Sequence, residues 1–170
     1  MINILQNIIN FFYPKTCFWC EKISQNNPCK KCEIELKNFL KVKIDYKNEY
    51  KHIYLCKYNG KIRKKILDFK FGEKPYLKEG FANLIIKNEK MCLLLSKYDI
   101  IIPVPIHKKR EKERGYNQSE LIVKEIVKKY PEIELIKDVL IKEKNVKPQS
   151  LLNSYARKQN VIGVYSLNNK

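Results

Sequence analysis

The periodicity of apolar positions changes several times along this chain, and each change predicts an element. Apolar residues at 2, 5, 8, 9 and 12 fall near helical spacing, so residues 2–12 are expected to form a helix docked onto the rest of the chain, with a membrane-surface helix as the other reading. EIELKNFLKVKI (33–44) predicts a short helix. KHIYLCKY (51–58) is rich in aromatic and β-branched residues, as strands are, and Asn59-Gly60 marks a turn. In KIRKKILDFKF (61–71), Ile62, Ile66 and Phe69 share one helical face and basic residues fill the other, with Gly72 as the stop. Residues 76–96 give a longer helical pattern interrupted near Asn88. YDIIIPVP (98–105) is a short continuous apolar run, expected to be a strand covered on both faces. SELIVKEIVKKY, from Ser119, predicts a helix with Ile122, Ile126 and Tyr130 in register. IELIKDVLI offers one or two strands, Lys147-Pro148-Gln149 a turn, SLLNSYARKQN a helix, and VIGVYSL (161–167) a final strand. Strands alternating with helices predict an α/β fold with a mainly parallel sheet.

Four of the six cysteines add a module that hydrophobic patterning does not show. Cys17-x-x-Cys20 and Cys29-x-x-Cys32 are two knuckles separated by EKISQNNP, a segment of turn residues that buries little by itself. Four soft ligands at this spacing suit tetrahedral Zn²⁺, held entirely by protein and therefore structural. A redox dithiol and a pair of disulfides are the other readings, and disulfides are rare in a reducing cytosol. Cys56 and Cys92 lie in apolar surroundings and are expected to be buried free thiols. The expected organisation is an N-terminal helix and four-cysteine zinc-ribbon module over residues 1–45, with an α/β domain over 46–170.

Charge changes the picture further. Of 170 residues, 35 are Lys or Arg and 18 Asp or Glu, a net charge of +17. An apolar fraction of 44% argues for a packed globule, so a polyanion partner is one reading of the excess and a Lys-, Asn- and Ile-rich composition the other. The positions of the few arginines are more telling. In IIPVPIHKKREKERGYNQSE, Arg110 and Arg114 sit four apart in the loop that follows the predicted strand. Ligands of α/β sheets bind beyond the carboxyl ends of strands, and Arg suits bidentate contact with phosphate. Gly115 permits a tight turn, Asn117 and Gln118 offer amides, and a helix N-terminus follows. No Ser/His/Asp grouping suggests nucleophilic catalysis, and His52 and His107 are isolated. No apolar run approaches the roughly 20 residues a membrane span needs, and no signal peptide is evident, so the chain is expected to be cytoplasmic.

Several of these stretches, in order, resemble the ComF family of competence proteins. They are the cysteine quartet after Tyr13-Pro14, Tyr58-Asn59-Gly60, Leu67-Asp68-Phe69-Lys70-Phe71 and Ile102-Pro103-Val104-Pro105. Arg110 and the run Arg114-Gly115-Tyr116-Asn117-Gln118-Ser119 follow, then Lys147-Pro148-Gln149, Leu152, Arg157 and Asn160-Val161-x-Gly163. Val146 stands where the family pattern usually has Thr. The resemblance implies a type I phosphoribosyltransferase-like fold behind an N-terminal zinc ribbon, and handling of single-stranded DNA during transformation. It implies that Lys70, Pro103, Pro105, Arg110, Arg114, Gly115, Asn117, Gln118, Gln149 and Arg157 line a surface for nucleic acid or pyrophosphate. A competence helicase or another DNA-processing protein is the implied protein partner. Mg²⁺ is implied only if phosphoribosyl pyrophosphate is the ligand. Such folds carry paired acids followed by a Thr/Gly loop for the ribose 5-phosphate, and this chain has no such segment. The expectation is therefore an incomplete, C-terminally truncated phosphoribosyltransferase-like sheet that does not transfer a phosphoribosyl group. The alternatives to DNA handling are a phosphoribosyltransferase, or its inactive remnant, acting on phosphoribosyl pyrophosphate, and a zinc-ribbon adaptor on a degenerate scaffold.

Overall fold

The computed structural model describes residues 11–12, 14–47 and 49–168; the helix expected over residues 2–12 lies mostly outside them. The described chain is a mixed α/β structure. Helix α1 (Lys30–Phe39) follows the cysteine knuckles, strands β1 (Lys43–Lys47) and β2 (Tyr50–Tyr54) form a hairpin, and α2 (Gly60–Phe71) comes next. A 3₁₀ turn (Pro75–Leu77) leads into α3 (Lys78–Ile86) and α4 (Glu89–Leu95), then β3 (Ile100–Ile101), α5 (Lys108–Arg114) and α6 (Gln118–Val127). The chain continues through β4 (Glu134–Leu135), β5 (Leu140–Lys142), a 3₁₀ turn (Gln149–Leu151), α7 (Ser154–Gln159) and β6 (Tyr165–Leu167).

The strands pair two by two, and only one pair among the described residues is parallel: β1–β2 and β5–β6 are antiparallel, β3–β4 parallel. The expected parallel sheet is thus a two-residue ladder. Glu134 N–H donates to Asp99 O and Ile136 N–H to Ile101 O, and Pro103 and Pro105, which carry no N–H, end the ladder there. The strand is not covered on both faces either. Pro103 is buried, while Ile100, Ile102 and Val104 are exposed.

Helix α2 matches its predicted face only in part. Ile62 and Phe69 are buried and Ile66 is half-buried, but Lys65, expected on the solvated side, is 3% exposed. Its ammonium is held by the Glu21 carboxylate and lies 5.9 Å from the Phe18 ring centroid, which is how a buried cation is tolerated. Lys43 and Ile44, expected at the end of a helix, belong instead to the strand over 43–47, because it pairs with β2. The break near Asn88 is real: its side chain caps α4 by accepting from Met91 N–H at 3.2 Å. At the end of the chain, the helical segment contracts to α7 and the strand to Tyr165–Leu167, with Gly163 at φ +61° turning the chain between them.

One core joins the cysteine segment to the helices. Cys17, Phe18, Trp19, Cys32 and Leu36 pack with Ile62, Phe69, Leu77, Phe81 and Leu84. Phe81 is the hinge of this cluster, edge-on to Phe18 at 4.9 Å and stacked on Phe69 at 5.1 Å. Gly80 lets α3 approach so closely, since any side chain there would run into Phe18. Helix α6 packs on α3, with Val123 and Ile126 buried and an ion pair between Lys78 and Glu125 at 3.0 Å. Cys56 and Cys92 are free but half-buried; burial raises the pKa of Cys56.

Candidate functional site

The four cysteines converge because two different local structures aim them at one point. The first knuckle is a tight loop: Glu21 N–H donates to Cys17 O, Cys17 N–H donates to Lys22 O, and a bridge between Thr16 and Ile23 closes it. The second knuckle is the start of α1, with Cys29 at the N-cap and Cys32 in the first turn. All four Sγ atoms lie within 4.8 Å of one another, and Cys20 and Cys29 are 3.9 Å apart. A tetrahedral thiolate site with metal–sulfur bonds near 2.3 Å has sulfurs about 3.8 Å apart, so the quartet is laid out as a ligand set. Cys17 is fully buried, which by itself would raise its pKa. The backbone N–H groups of Cys20, Cys29 and Trp19 reverse that and hold it at about 6. Cys32 moves the other way, pushed up by burial and by the neighbouring sulfurs. Those N–H groups favour the thiolate form of Cys17, and a bound cation would draw all four sulfurs toward it. Phe18 N–H is anchored to Asn27 Oδ1 at 2.7 Å, and Trp19 Nε1–H donates to Glu35 Oε1 at 2.6 Å. The residues between the ligands are therefore fixed by the same core.

A second centre lies where α2 ends and α5 passes it. Lys70, Phe71, Glu73, Arg110, Glu113 and Arg114 line a cleft of about 180 Å³. The two arginines are one helical turn apart on α5, so both face the cleft. Arg114 lies 5.3 Å from the Phe71 ring centroid. The walls strip water from Lys70, and Arg114 adds like-charge repulsion; both lower its pKa. Arg114 is lowered in the same way, by burial and then by Arg110. None of the three cations is in an ion pair with a carboxylate among the described residues. Arg114 thus repels Lys70 and is repelled by Arg110, only partly offset by Glu113, which makes a place that an anion would relieve.

The order Arg-Gly-Tyr-Asn-Gln explains how that place is built. Gly115 has φ +81° and closes α5 by donating to Glu111 O at 2.7 Å, a left-handed stop that glycine adopts readily. Tyr116 Oη–H donates to Phe69 O at 2.8 Å and Gln118 Nε2–H to the same oxygen at 3.3 Å. That carbonyl belongs to the last turn of α2, where helix oxygens lack partners. Tyr116 and Gln118 therefore dock the start of α6 onto the end of α2, which places Arg114 beside Lys70. Gln118 Oε1 also accepts from Arg114 at 2.5 Å. Asn117 caps α6 through Ser119 N–H at 3.0 Å and donates to Val104 O at 3.1 Å.

The residues expected to form one surface are consequently distributed. Lys70, Arg110 and Arg114 share the cleft; the amides of Asn117 and Gln118 are engaged with backbone and Arg114. Pro103 and Pro105 border a wider cavity of about 590 Å³ beyond the carboxyl end of β3, together with Lys108, Lys137 and Lys142. Gln149 and Arg157 stabilise the following loop: Arg157 donates to Gln149 O and Leu152 O, both at 2.9 Å. That loop reaches the cleft through Arg110, which donates to Asn145 Oδ1 and Val146 O at 3.3 and 3.2 Å. Sequence reasoning did not single out Asn145, Lys65 or Glu21. Asn145 and Glu21 make single tertiary contacts that no local pattern marks, and the helical period itself placed Lys65 on the wrong face.

The chain is similar to Competence protein F of Haemophilus influenzae, 24% identical over 183 residues that cover 94% of this chain and 79% of that protein. The likeness runs nearly end to end and bears out the resemblance to the ComF family. No family model matches the chain, and no solved structure gives a match. No helix among the described residues is long and apolar enough to cross a membrane.

Proposed function

We propose that this ComF-like chain acts in natural competence as a single-strand DNA-handling protein with a structural zinc. Competence itself is taken from the relative's name. The observation that carries the binding role is the trio Lys70, Arg110 and Arg114, without a carboxylate partner among the described residues, around one cleft on a chain of net charge +17. A phosphate in that cleft would relieve the repulsion that Arg114 shares with Lys70 and Arg110 and release condensed counterions from the strand. Exposed Phe71, with Arg114 5.3 Å from its ring centroid, adds a ring against which a neighbouring base can lie.

Cys17, Cys20, Cys29 and Cys32 hold the zinc. Four thiolates fill its coordination shell and leave no open position, so the metal staples the knuckles to the core and does no chemistry on substrate. The cleft is open to small anions too, and pyrophosphate is the competitor that the family's fold suggests.

The test is fluorescence anisotropy of a labelled oligo(dT) strand titrated at several salt concentrations. The logarithm of the binding constant is expected to fall with the logarithm of salt at about −0.7 per phosphate contacted. Arg110→Ala/Arg114→Ala should weaken binding and flatten that slope by about 1.4, because two phosphate-facing cations are gone. An unchanged slope and affinity would assign the binding to diffuse lysine charge and refute the cleft.

A further inference from the structure

We infer that the β1–β2 hairpin is a second contact for the same strand, a ribbon on which bases stack. This rests on the reading of single-stranded nucleic acid as the ligand. Every residue of β1, and all of β2 except Ile53, is exposed. A lone two-stranded hairpin is marginal in water, and this one leaves Tyr46 and Tyr50 at 72% and 70% exposure. The register places each ring beside a cation. Lys43 pairs with Tyr54, Lys47 with Tyr50, and Tyr46 with Lys51, whose ammonium is 5.8 Å from the Tyr46 ring centroid. On one face Tyr50, His52 and Tyr54 follow one another at intervals of about 7 Å, the two-residue step of a strand. Tyr54 Oη–H donates to Asp45 Oδ2 at 2.9 Å, which fixes one of these rings.

The same pairing recurs along the chain beyond the hairpin. Beyond β2, Arg63 lies 5.9 Å from the ring of exposed Tyr58, and at the far end of α2 Arg114 lies 5.3 Å from Phe71. Arg63 and Lys70 are seven residues apart on α2 and so share a helical face, separated by about 10 Å at 1.5 Å per residue. A strand laid along α2 would meet ring and cation at Tyr58 and Arg63 and then in the cleft, and only three residues separate Tyr58 from Tyr54 at the end of the hairpin. The exposed rings are mostly tyrosines interleaved with lysines, which is the composition that bases and phosphates recognise; a groove for an apolar helix would present aliphatic side chains instead.

The experiment uses the full chain with labelled oligo(dT) and two pairs of variants. Tyr50→Leu/Tyr54→Leu keeps bulk and apolar character but removes the flat rings. It should lower affinity at least about fivefold while leaving the salt slope unchanged, since stacking carries no counterion release. Tyr50→Phe/Tyr54→Phe should bind as the parent does. Ultraviolet crosslinking of an iodouracil-substituted strand should label the hairpin tyrosines. If the parent binds the strand and the leucine pair binds equally well, the ribbon is refuted while the cleft stands. If the parent binds no strand at low salt, both readings fall. Loss of binding to anionic phospholipid vesicles in the leucine pair, with oligonucleotide binding intact, would assign the hairpin to a membrane surface and overturn the inference.

Discussion

Replacing Gly80 by Ala sets two effects against each other. Gly80 lies in the first turn of α3, where alanine's better helix propensity would stabilise by up to about 1 kcal/mol. The added β-carbon would lie 2.5 Å from Phe18 Cβ and nearer still to Cγ and Cδ2. Phe18 cannot yield easily. It is buried between Cys17 and Trp19, its N–H is bonded to Asn27, and its ring meets Phe81 edge-on at 4.9 Å. Overpacking of this kind costs roughly 1–3 kcal/mol, and overlap with three atoms places this case at the upper end. The net expectation is destabilisation by about 1–2 kcal/mol. For a domain of this size that lowers Tm by about 2–8 °C, read by thermal unfolding of the zinc-loaded protein. The cause is checked by a double-mutant cycle. In a Phe18→Ala background the contacts with Cγ and Cδ2 are gone, so Gly80→Ala should cost at least about 1 kcal/mol less than in the parent. A Tm that rises in the single variant would show that propensity wins and that α3 does not press on the knuckle as described.

Other outcomes follow from single contacts. Cys29→Ser removes one of four ligands, and elemental analysis should find about one zinc per chain in the anaerobically purified parent and a large loss in the variant; a parent without zinc refutes the assignment. Asn117→Ala loses the cap of α6 and the bond to Val104 O, and should lower stability by about 1–2 kcal/mol in denaturant titration. Glu125 is half-buried between Lys78 and Lys128. Burial raises its pKa, but the two lysines outweigh that and hold it below the ordinary carboxylate value. A carboxylate depressed in the folded state stabilises above its unfolded pKa and loses that contribution as pH falls through the folded value. The stability gap between the parent and Glu125→Gln should therefore be present at neutral pH and close in acid below about pH 4, as unfolding at several pH values would show.

Some of this protein is legible in the amino acids alone. The two Cys-x-x-Cys pairs carry their own geometry, since each short spacing can point two sulfurs at one ion whatever surrounds it, and the quartet indeed converges. The helices at 60–71, 78–86 and 118–127 follow from a 3.6-residue apolar period, and Asn stands at the N-caps of α2, α4 and α6. Tertiary structure decided the rest, because it depends on partners distant in sequence. Pairing with β2 drew Lys43 and Ile44 from an expected helix end into a strand over 43–47, and two prolines with no N–H cut the parallel ladder to two residues. Among the aromatics interleaved with lysines, Phe69 went to the core while Tyr50, Tyr58 and Phe71 stayed in water, a division that spacing does not encode. Lys65 was buried because Glu21, 44 residues earlier, supplies its counter-charge. The Arg-Gly-Tyr-Asn-Gln run could be read as a set of anion donors; its roles were settled by the free carbonyl of Phe69, which takes Tyr116 and Gln118 and leaves the arginines to face the cleft.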